Sequence, residues 1–292
     1  MCARKRTKPT KAGKKRKQKK RNKRPIISII FLLITLISLS FLYLEYENEI
    51  LEYRKRRTKN EYTQAEDLTI PHFISARREQ LIKHTGFTVG YSEKHRIPYW
   101  VSYELTAEKT KGNYPRENRF VKDLHVKGAS AHYSDYSNSG YNRGHMAPAG
   151  DMKWSKAAMK ESFYLSNICP QHPELNHKNW KKLEERIRTW AVKDSAIIII
   201  CGPLVNNNCR KIGSNRVTVP EGFFKVVLSP FVSPPRAIGF LFKNEKSTGP
   251  LKEHAVTVDS VEIITGLDFF HQLPDSIEAI VEAYMDIGYW RL

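Results

Sequence analysis

Short apolar and aromatic segments recur along the chain after residue 85. Residues 98–105 alternate between apolar and polar positions, which is the period of a β-strand. Residues 196–200 are apolar throughout and are followed by Cys201-Gly202-Pro203, which predicts a fully apolar strand ending at a turn. Further strands are predicted at residues 86–91, 223–228 and 237–242.

Helices are predicted in three other segments. In residues 176–192 the apolar side chains recur at helical spacing on one face, and they are Trp180, Leu183, Ile187, Trp190 and Ala191. A shorter helix is predicted within residues 151–164 and a closing helix within residues 269–284, whereas the mostly polar residues 116–131 predict a loop. Because strands and helices mix without regular β-α-β alternation, the pattern favours an α+β fold.

An uncharged apolar run, residues 25–44, has about the length that spans a bilayer core. The basic residues before it favour a single-pass anchor with a cytoplasmic N-terminus and an extracytoplasmic folded part, with the mitochondrial inner membrane as the alternative location. A cleaved signal peptide is the main alternative, although its apolar region would be shorter. The chain then divides into a basic tail (1–24), a transmembrane signal anchor (25–44), a charged linker (45–66) and a folded domain (67–292).

The formal net charge of +19 is concentrated at the N-terminus. Fourteen of the 49 lysines and arginines, and no acid, lie in residues 1–24, so the remainder carries only +5. That remainder fits polyanion binding without requiring it. The tail either binds nucleic acid or anionic lipid, or only fixes the membrane topology. The cysteines lack the spacing of zinc ligands. Their spacing alone does not decide whether Cys201 and Cys209 form a disulfide.

A histidine in the glycine- and proline-rich residues 141–152 is the first candidate for chemistry. A neutral imidazole has a pKa near physiological pH and can take a proton from water. Because residues two apart on a strand face the same way, Arg143 and His145 would point together at one phosphate. Gly144 between them permits a tight turn or the close approach of a ligand.

Asn176, at the head of the predicted 176–192 helix, is the second candidate. Its amide oxygen is a hard ligand suited to Mg²⁺, and the alternative is that it only caps the helix. Glu184 lies roughly 12 Å further along a helix, too far to bind the same ion directly. It would orient a metal-bound water, or else pair with Arg188 at the surface. Arg119 is the third candidate, as a guanidinium for phosphate oxygens.

Several of these residues belong to ordered blocks. Asn142-Arg143-Gly144-His145 is followed by Leu-Ser-Asn-Ile-Cys-Pro-Gln at residues 165–171, and then by Asn176, Trp180 and Glu184 at four-residue intervals. Together these blocks resemble the DNA/RNA non-specific endonuclease family, whose motifs are Asp-Arg-Gly-His, Leu-Ser-Asn-x-x-Pro-Gln and Asn-x-x-x-Trp-x-x-x-Glu. The resemblance covers roughly residues 68–292, with further similar blocks at 202–204, 219–220, 223–225 and 265–270.

The resemblance implies a ββα-metal fold with a mixed or antiparallel sheet. It implies His145 as the general base and Asn176 as the direct ligand of Mg²⁺, with Mn²⁺ as a substitute. The departure from the family is Asn142, where the motif usually has Asp, which leaves the base in place but changes its surroundings. The supporting residues that the resemblance implies are Arg143, Arg119 and Glu184.

The sequence therefore predicts a Mg²⁺-dependent endonuclease that hydrolyses DNA and RNA without sequence preference. Attack by water rather than by a ribose 2′-hydroxyl would allow both substrates, and the resemblance implies 5′-phosphate products. One alternative is a membrane-tethered nucleic-acid-binding protein with a decayed catalytic site. Another is a structural envelope protein whose tail binds lipid. Membrane contact would come from residues 25–44. The sequence does not decide whether the protein forms a homodimer.

Overall fold

The computed structural model describes residues 24–59, 68–246 and 248–292. The chain divides into two units, Met1–Glu45 and Tyr46–Leu292. Residues 1–23 of the basic tail and residues 60–66 of the charged linker lie outside the described residues. The predictions made for the tail therefore stay predictions.

The first helix, α1 (Arg24–Lys59), includes all of the predicted anchor, residues 25–44. Within α1, side chains are described only for residues 32–49, and three glutamates, Glu45, Glu47 and Glu49, follow the apolar part. Within the described residues, no helix combines the length and the apolar character needed to cross a membrane. The transmembrane signal anchor predicted for residues 25–44 is therefore not supported by the described residues.

The second unit is organised around an antiparallel sheet. Its described strands are β1 (His72–Phe73), β2 (Gln80–Lys83), β3 (Thr88–Ser92), β4 (Ile97–Thr106), β5 (Asn142–His145), β6 (Ile168–Gln171), β7 (Ala196–Leu204), β8 (Lys211–Ile212), β9 (Val217–Thr218), β10 (Gly222–Ser229), β11 (Arg236–Lys243), β12 (Ala255–Val256) and β13 (Leu267–Asp268). Seven of them form one sheet in the order β12-β11-β10-β7-β4-β3-β2, and every neighbouring pair is antiparallel. β5 and β6 form a separate antiparallel pair.

Helices cover both faces of the large sheet. After α1 the described helices are α2 (Ala107–Thr110), α3 (Lys156–Ser162), α4 (Pro173–Leu175), α5 (Lys181–Asp194), α6 (Val258–Thr265), α7 (Asp275–Ala283) and α8 (Ile287–Trp290). A π-helical turn, Asn176–Trp180, joins α4 to α5. The apolar side of α5 packs with Trp180 in the core on one face, and α6 and α7 pack in the core on the other face.

The central strand β7 shows why its sequence is apolar at every position. Ile197 and Ile199 belong to the core under α5, whereas Ile198 and Ile200 belong to the core under α6 and α7. Successive side chains of a strand point to opposite faces, so a strand covered on both sides needs apolar residues throughout. The predicted α+β class and antiparallel sheet are confirmed, and the five predicted strands are β3, β4, β7, β10 and β11.

We predict that Ile198→Ala lowers the free energy of unfolding by about 2–5 kcal/mol, because it leaves a cavity in the core. Ile198 is fully buried, whereas Ile263 on α6 is 84% exposed and serves as the matched control. Urea unfolding of both alanine variants measures the difference. Equal losses of stability would contradict the described core.

Candidate active site

The pairing of β5 with β6 places the first predicted motif beside the second. Asn142 lies opposite Gln171, Gly144 opposite Cys169 and His145 opposite Ile168. A Cβ atom at Gly144 would lie 2.3 Å from Oε1 of Gln171, so a larger residue cannot stand there without moving the buried glutamine. The glycine of the motif is thus explained by the close approach of the Gln171 side chain.

His145 lies at the end of β5 in an aromatic pocket. Its ring centroid is 4.8 Å from that of Phe163 and 5.4 Å from that of Phe120. Nε2 of His145 is buried and has no hydrogen-bond partner among the described residues. Burial, together with the positive charge of Arg116, lowers the pKa of His145 to about 3. The imidazole is therefore neutral at physiological pH and can accept a proton.

Two contacts hold β5 against the helical segment that follows β6. Nε1 of Trp180 donates a hydrogen bond to the backbone carbonyl of His145 at 3.2 Å. The side chain of Asn142 lies 3.1 Å from Nε2 of His177. The position where the family motif usually has Asp is therefore occupied by an amide that contacts a histidine of the π-helical turn.

Asn176 opens this π-helical turn rather than the helix itself. Its backbone is helical (φ −57°, ψ −42°), and its N–H donates to the carbonyl of His172 at 3.0 Å. His172 is the residue that caps the segment, since its ring accepts a hydrogen bond from the N–H of Glu174. The alternative that Asn176 serves as the N-cap of the helix is therefore wrong. π-helical turns within helices are frequent at functional sites.

Arg143 and Arg119 line one cleft of about 530 Å³. The guanidinium of Arg143 lies 5.4 Å from the ring centroid of Phe120, the same ring that contacts His145. Phe120 thus contacts both Arg143 and His145, and their joint approach to one phosphate stays a prediction. Nη2 of Arg143 also donates to the carbonyl of Tyr133 at 3.2 Å, which fixes its orientation. Arg119 is exposed at the rim of this cleft.

A second arginine of the same loop, Arg116, acts more directly on the site. Its guanidinium lies 5.1 Å from the ring centroid of Phe163, which packs edge-on against His145. Its positive charge helps to lower the pKa of His145. It also partly offsets the rise that burial causes in the pKa of Glu184. The sequence analysis did not single out Arg116, because the loop has no periodicity that distinguishes one arginine from the other.

Glu184 lies over a group of buried charges rather than in a surface ion pair. Burial raises its pKa to about 7, and the positive charge of Lys225 opposes that shift. Nζ of the fully buried Lys225 lies 4.1 Å from the ring centroid of Trp180. Arg188, the surface partner considered for Glu184, instead forms an ion pair with buried Asp151 at 2.8 Å. Lys225 is a further residue of this region that the sequence analysis did not assign.

The polar atoms near β5 and β6 fit a hydrated cation. Both amide atoms of buried Gln171 lack hydrogen-bond partners among the described residues, as does Nε2 of His145. Buried polar groups without protein partners usually meet water or an ion. Asn176 begins the turn that follows β6 and α4, and it offers a hard amide oxygen, the type of ligand that Mg²⁺ takes while keeping most of its waters.

Another group that could hold a metal ion is formed by His84, Asp123 and His125. Its carboxylate already has several partners, since Oδ2 of Asp123 accepts from Ser166 at 2.6 Å and faces Nε2 of His84 at 3.1 Å. Oδ1 accepts from the backbone N–H of His125 at 2.9 Å. A cation here would have to displace these contacts. The sequence analysis did not identify this group.

The described cysteines are free thiols. Cys201 is buried and its Sγ lies 3.3 Å from the carbonyl of Met146, whereas Cys209 is only half-buried. The sequence did not decide whether Cys201 and Cys209 form a disulfide, and in the described residues they do not. Burial raises the pKa of Cys201 to about 11, so this thiol is not a nucleophile at physiological pH.

Two short antiparallel strands followed by a helical segment, with a neutral histidine at the end of the first strand and an asparagine at the start of the helical segment, are the arrangement expected of a ββα-metal nuclease. The profile of the DNA/RNA non-specific endonuclease family matches residues 64–276. The chain belongs to this family.

Individual relatives agree with this assignment. The mitochondrial nuclease EXOG of Mus musculus is 35% identical over 212 residues, 66% of this chain and 58% of that protein. The mitochondrial nuclease of Saccharomyces cerevisiae is 34% identical over 64% of each chain. A crystal structure of the EndoG/EndoGI complex contains a chain with a TM-score of 0.63 and 29% identity, matching 68% of this chain and 88% of that one. The present chain thus spans under two thirds of the length of the mouse and yeast relatives.

We predict that the pH dependence of stability in metal-free buffer reflects Glu184. Its raised pKa means that the folded state favours the protonated form, so stability falls as the pH rises from about 5 through 7. Glu184→Gln removes the part of that fall due to Glu184, on the order of 2 kcal/mol at about pH 8, whereas the part due to Glu282, whose pKa is also raised, remains. Lys225→Met deepens the part due to Glu184, because the opposing positive charge is lost.

Urea unfolding at about pH 5 and pH 8 in EDTA measures both effects. Glu185→Gln is the control, because Glu185 is exposed on the same helix and pairs only loosely with Lys181, at 3.8 Å. If wild type and Glu184→Gln lose the same stability between these pH values, the description of Glu184 is wrong.

Proposed function

We propose that this protein is a metal-dependent endonuclease that hydrolyses phosphodiester bonds in DNA and RNA without sequence preference. One observation carries the proposal: His145, neutral and with an unpartnered Nε2 among the described residues, is tied to the segment containing Asn176 by the Trp180 hydrogen bond. Membership of the nuclease family supports the same reaction class.

In the proposed mechanism, His145 acts as the general base. The neutral imidazole takes a proton from the attacking water through its unprotonated nitrogen, and the low pKa of the buried ring keeps the ring uncharged before the reaction. Phe120 and Phe163 hold the ring in place on two sides and exclude bulk water. The reaction breaks the bond between phosphorus and the 3′ oxygen, so the products carry 5′-phosphates.

Asn176 would hold the metal ion. Mg²⁺, or Mn²⁺ in its place, would supply stabilisation of the negative charge on the phosphate and on the departing 3′ oxygen. The unpartnered amide of Gln171 is placed to bind a water of such a hydrated ion. Asn176 is favoured over the group around Asp123, because the oxygens of that carboxylate already accept hydrogen bonds.

Arginines and Glu184 complete the proposed site. Arg143 and Arg119 in the basic cleft bind phosphate oxygens, and Arg116 contributes positive charge near the base. Glu184 orients water on the helical side. These groups contact backbone phosphate rather than base edges, which is why we propose cleavage without sequence preference.

The proposed cellular location is the mitochondrion. The relatives named above from mouse and yeast are called mitochondrial nucleases. Their names favour the mitochondrial alternative over an extracytoplasmic location. A homodimer stays a prediction.

The first prediction here concerns the base and the metal ligand. His145→Ala lowers the rate of plasmid and RNA cleavage with Mg²⁺ at least about 100-fold, because the proton acceptor is lost. Asn176→Ala has a comparable effect, which excess Mn²⁺ partly reverses. His271→Ala is the control, since His271 is exposed and contacts Gln272.

Full activity of His145→Ala would remove the assignment. Salt-sensitive binding of nucleic acid without any metal-dependent cleavage by the wild type would instead support the alternative of a binding protein with a decayed site.

The second prediction separates the two loop arginines. Arg116→Ala lowers kcat by about 10-fold or more, because its charge lies near the reacting groups. Arg119→Ala mainly raises KM, because Arg119 lies at the rim of the cleft. Arg116→Lys retains part of the rate, since the positive charge remains. Steady-state kinetics on one oligonucleotide measure the split, and a larger kcat loss in Arg119→Ala would reverse the two roles.

A further inference from the structure

A group of carboxylates lies on the face of the sheet away from His145. Asp259 and Glu262 on α6 and Glu282 on α7 each offer a carboxylate oxygen, and these oxygens lie within 4.8 Å of one another. The two helices pack side by side over the core that contains Ile198 and Ile200. This acidic group is therefore separate from the candidate active site.

Glu282 is the unusual member of the acidic group. It is only 6% exposed, and its Oε1 is buried without a hydrogen-bond partner among the described residues. Glu262 differs, because its Oε1 accepts a hydrogen bond from the backbone N–H of Phe269 at 2.7 Å. A buried carboxylate oxygen without a partner is costly, and proteins usually satisfy it with water or an ion.

The charges around Glu282 all have the same sign. Burial raises the pKa of Glu282 to about 9, and the negative charges of nearby carboxylates add to this rise. These carboxylates are Glu262, Glu278, Asp259 and Asp268. Within the described part of the chain, no lysine, arginine or histidine forms an ion pair with any of these five carboxylates. Clustered carboxylates of this kind need a positive partner to remain ionised.

We propose that Asp259, Glu262 and Glu282 bind a divalent cation, and that this cation is Ca²⁺. Ca²⁺ takes carboxylate oxygens at 2.3–2.6 Å in irregular geometry, so oxygens on opposite sides of the ion lie about 4.6–5.2 Å apart. The carboxylate oxygens of the acidic group lie within 4.8 Å of one another, which is close enough for all three to bind one such ion. Mg²⁺ requires a shorter and more regular octahedron, which three long side chains from two helices provide less readily. Bound Ca²⁺ joins α6 to α7 and neutralises their repulsion.

The experiment uses the full-length protein and CaCl₂ as the probe. Isothermal titration is performed in an Asn176→Ala background, so that the ion proposed for the nuclease reaction does not contribute. We expect one site with a Kd of roughly 10⁻⁴–10⁻³ M. Glu282→Gln weakens it at least about 10-fold, because the charge is lost while the shape is kept. Glu253→Gln, an exposed glutamate outside the acidic group, leaves binding unchanged.

Thermal unfolding gives an independent measurement. About 10 mM CaCl₂ raises the Tm of the wild-type protein by roughly 2–4 °C, and this shift is absent in Glu282→Gln. Asp259→Asn, at a half-buried position, is the second variant if Glu282→Gln does not fold. Absence of Ca²⁺ binding, or binding that Glu282→Gln and Asp259→Asn leave unchanged, would overturn the proposal. Nuclease activity is measured separately, so failure of the calcium site leaves the proposed function untouched.

Discussion

The hydrogen bond from Trp180 to the carbonyl of His145 is the contact on which the candidate site depends. Together with the contact between Asn142 and His177, it fastens β5 to the turn that begins at Asn176. The indole is buried against Phe223 and Phe242, so the donor cannot move without disturbing the core under α5. The fold thereby holds the strand that carries His145 against the turn that begins at Asn176, although these residues are far apart along the chain.

Burial near this contact also determines the electrostatics of the site. The same low-polarity surroundings that keep His145 neutral raise the pKa of Glu184, because both shifts favour the uncharged form. Lys225 under the helix and Arg116 in the loop supply positive charge that limits the cost for Glu184. A base that is uncharged and an acid that is close to its pKa can thus lie in one site, each for a physical reason visible in its neighbours.

Much of this could be predicted from the sequence. The strands around residues 98–105 and 196–200 follow from local periodicity, and the placement of Arg143 and His145 on one side of β5 follows from the two-residue repeat of a strand. What local pattern could not provide was contact between distant segments. The influence of Arg116 on His145, the position of Lys225 beneath Trp180 and the meeting of α6 with α7 depend on the packed fold.

One sequence interpretation failed for an identifiable reason. Asn is favoured at helix N-caps, but α4 precedes Asn176, so the N-cap falls on His172 instead. The short window around Asn176 was interpreted without the preceding residues that extend the helical segment. The anchor predicted for residues 25–44 is a different case, because no described helix is long and apolar enough to cross a membrane.

The central claim is that His145 lies next to a divalent ion held by Asn176. The most direct test is NMR of histidine-labelled protein during titration with Mn²⁺, whose unpaired electrons broaden nearby proton resonances. The account predicts that the ring resonances of His145, assigned with a His145→Gln variant, broaden first in the wild type and remain sharp in Asn176→Ala. Unchanged resonances in the wild type, or equal broadening in Asn176→Ala, would contradict it.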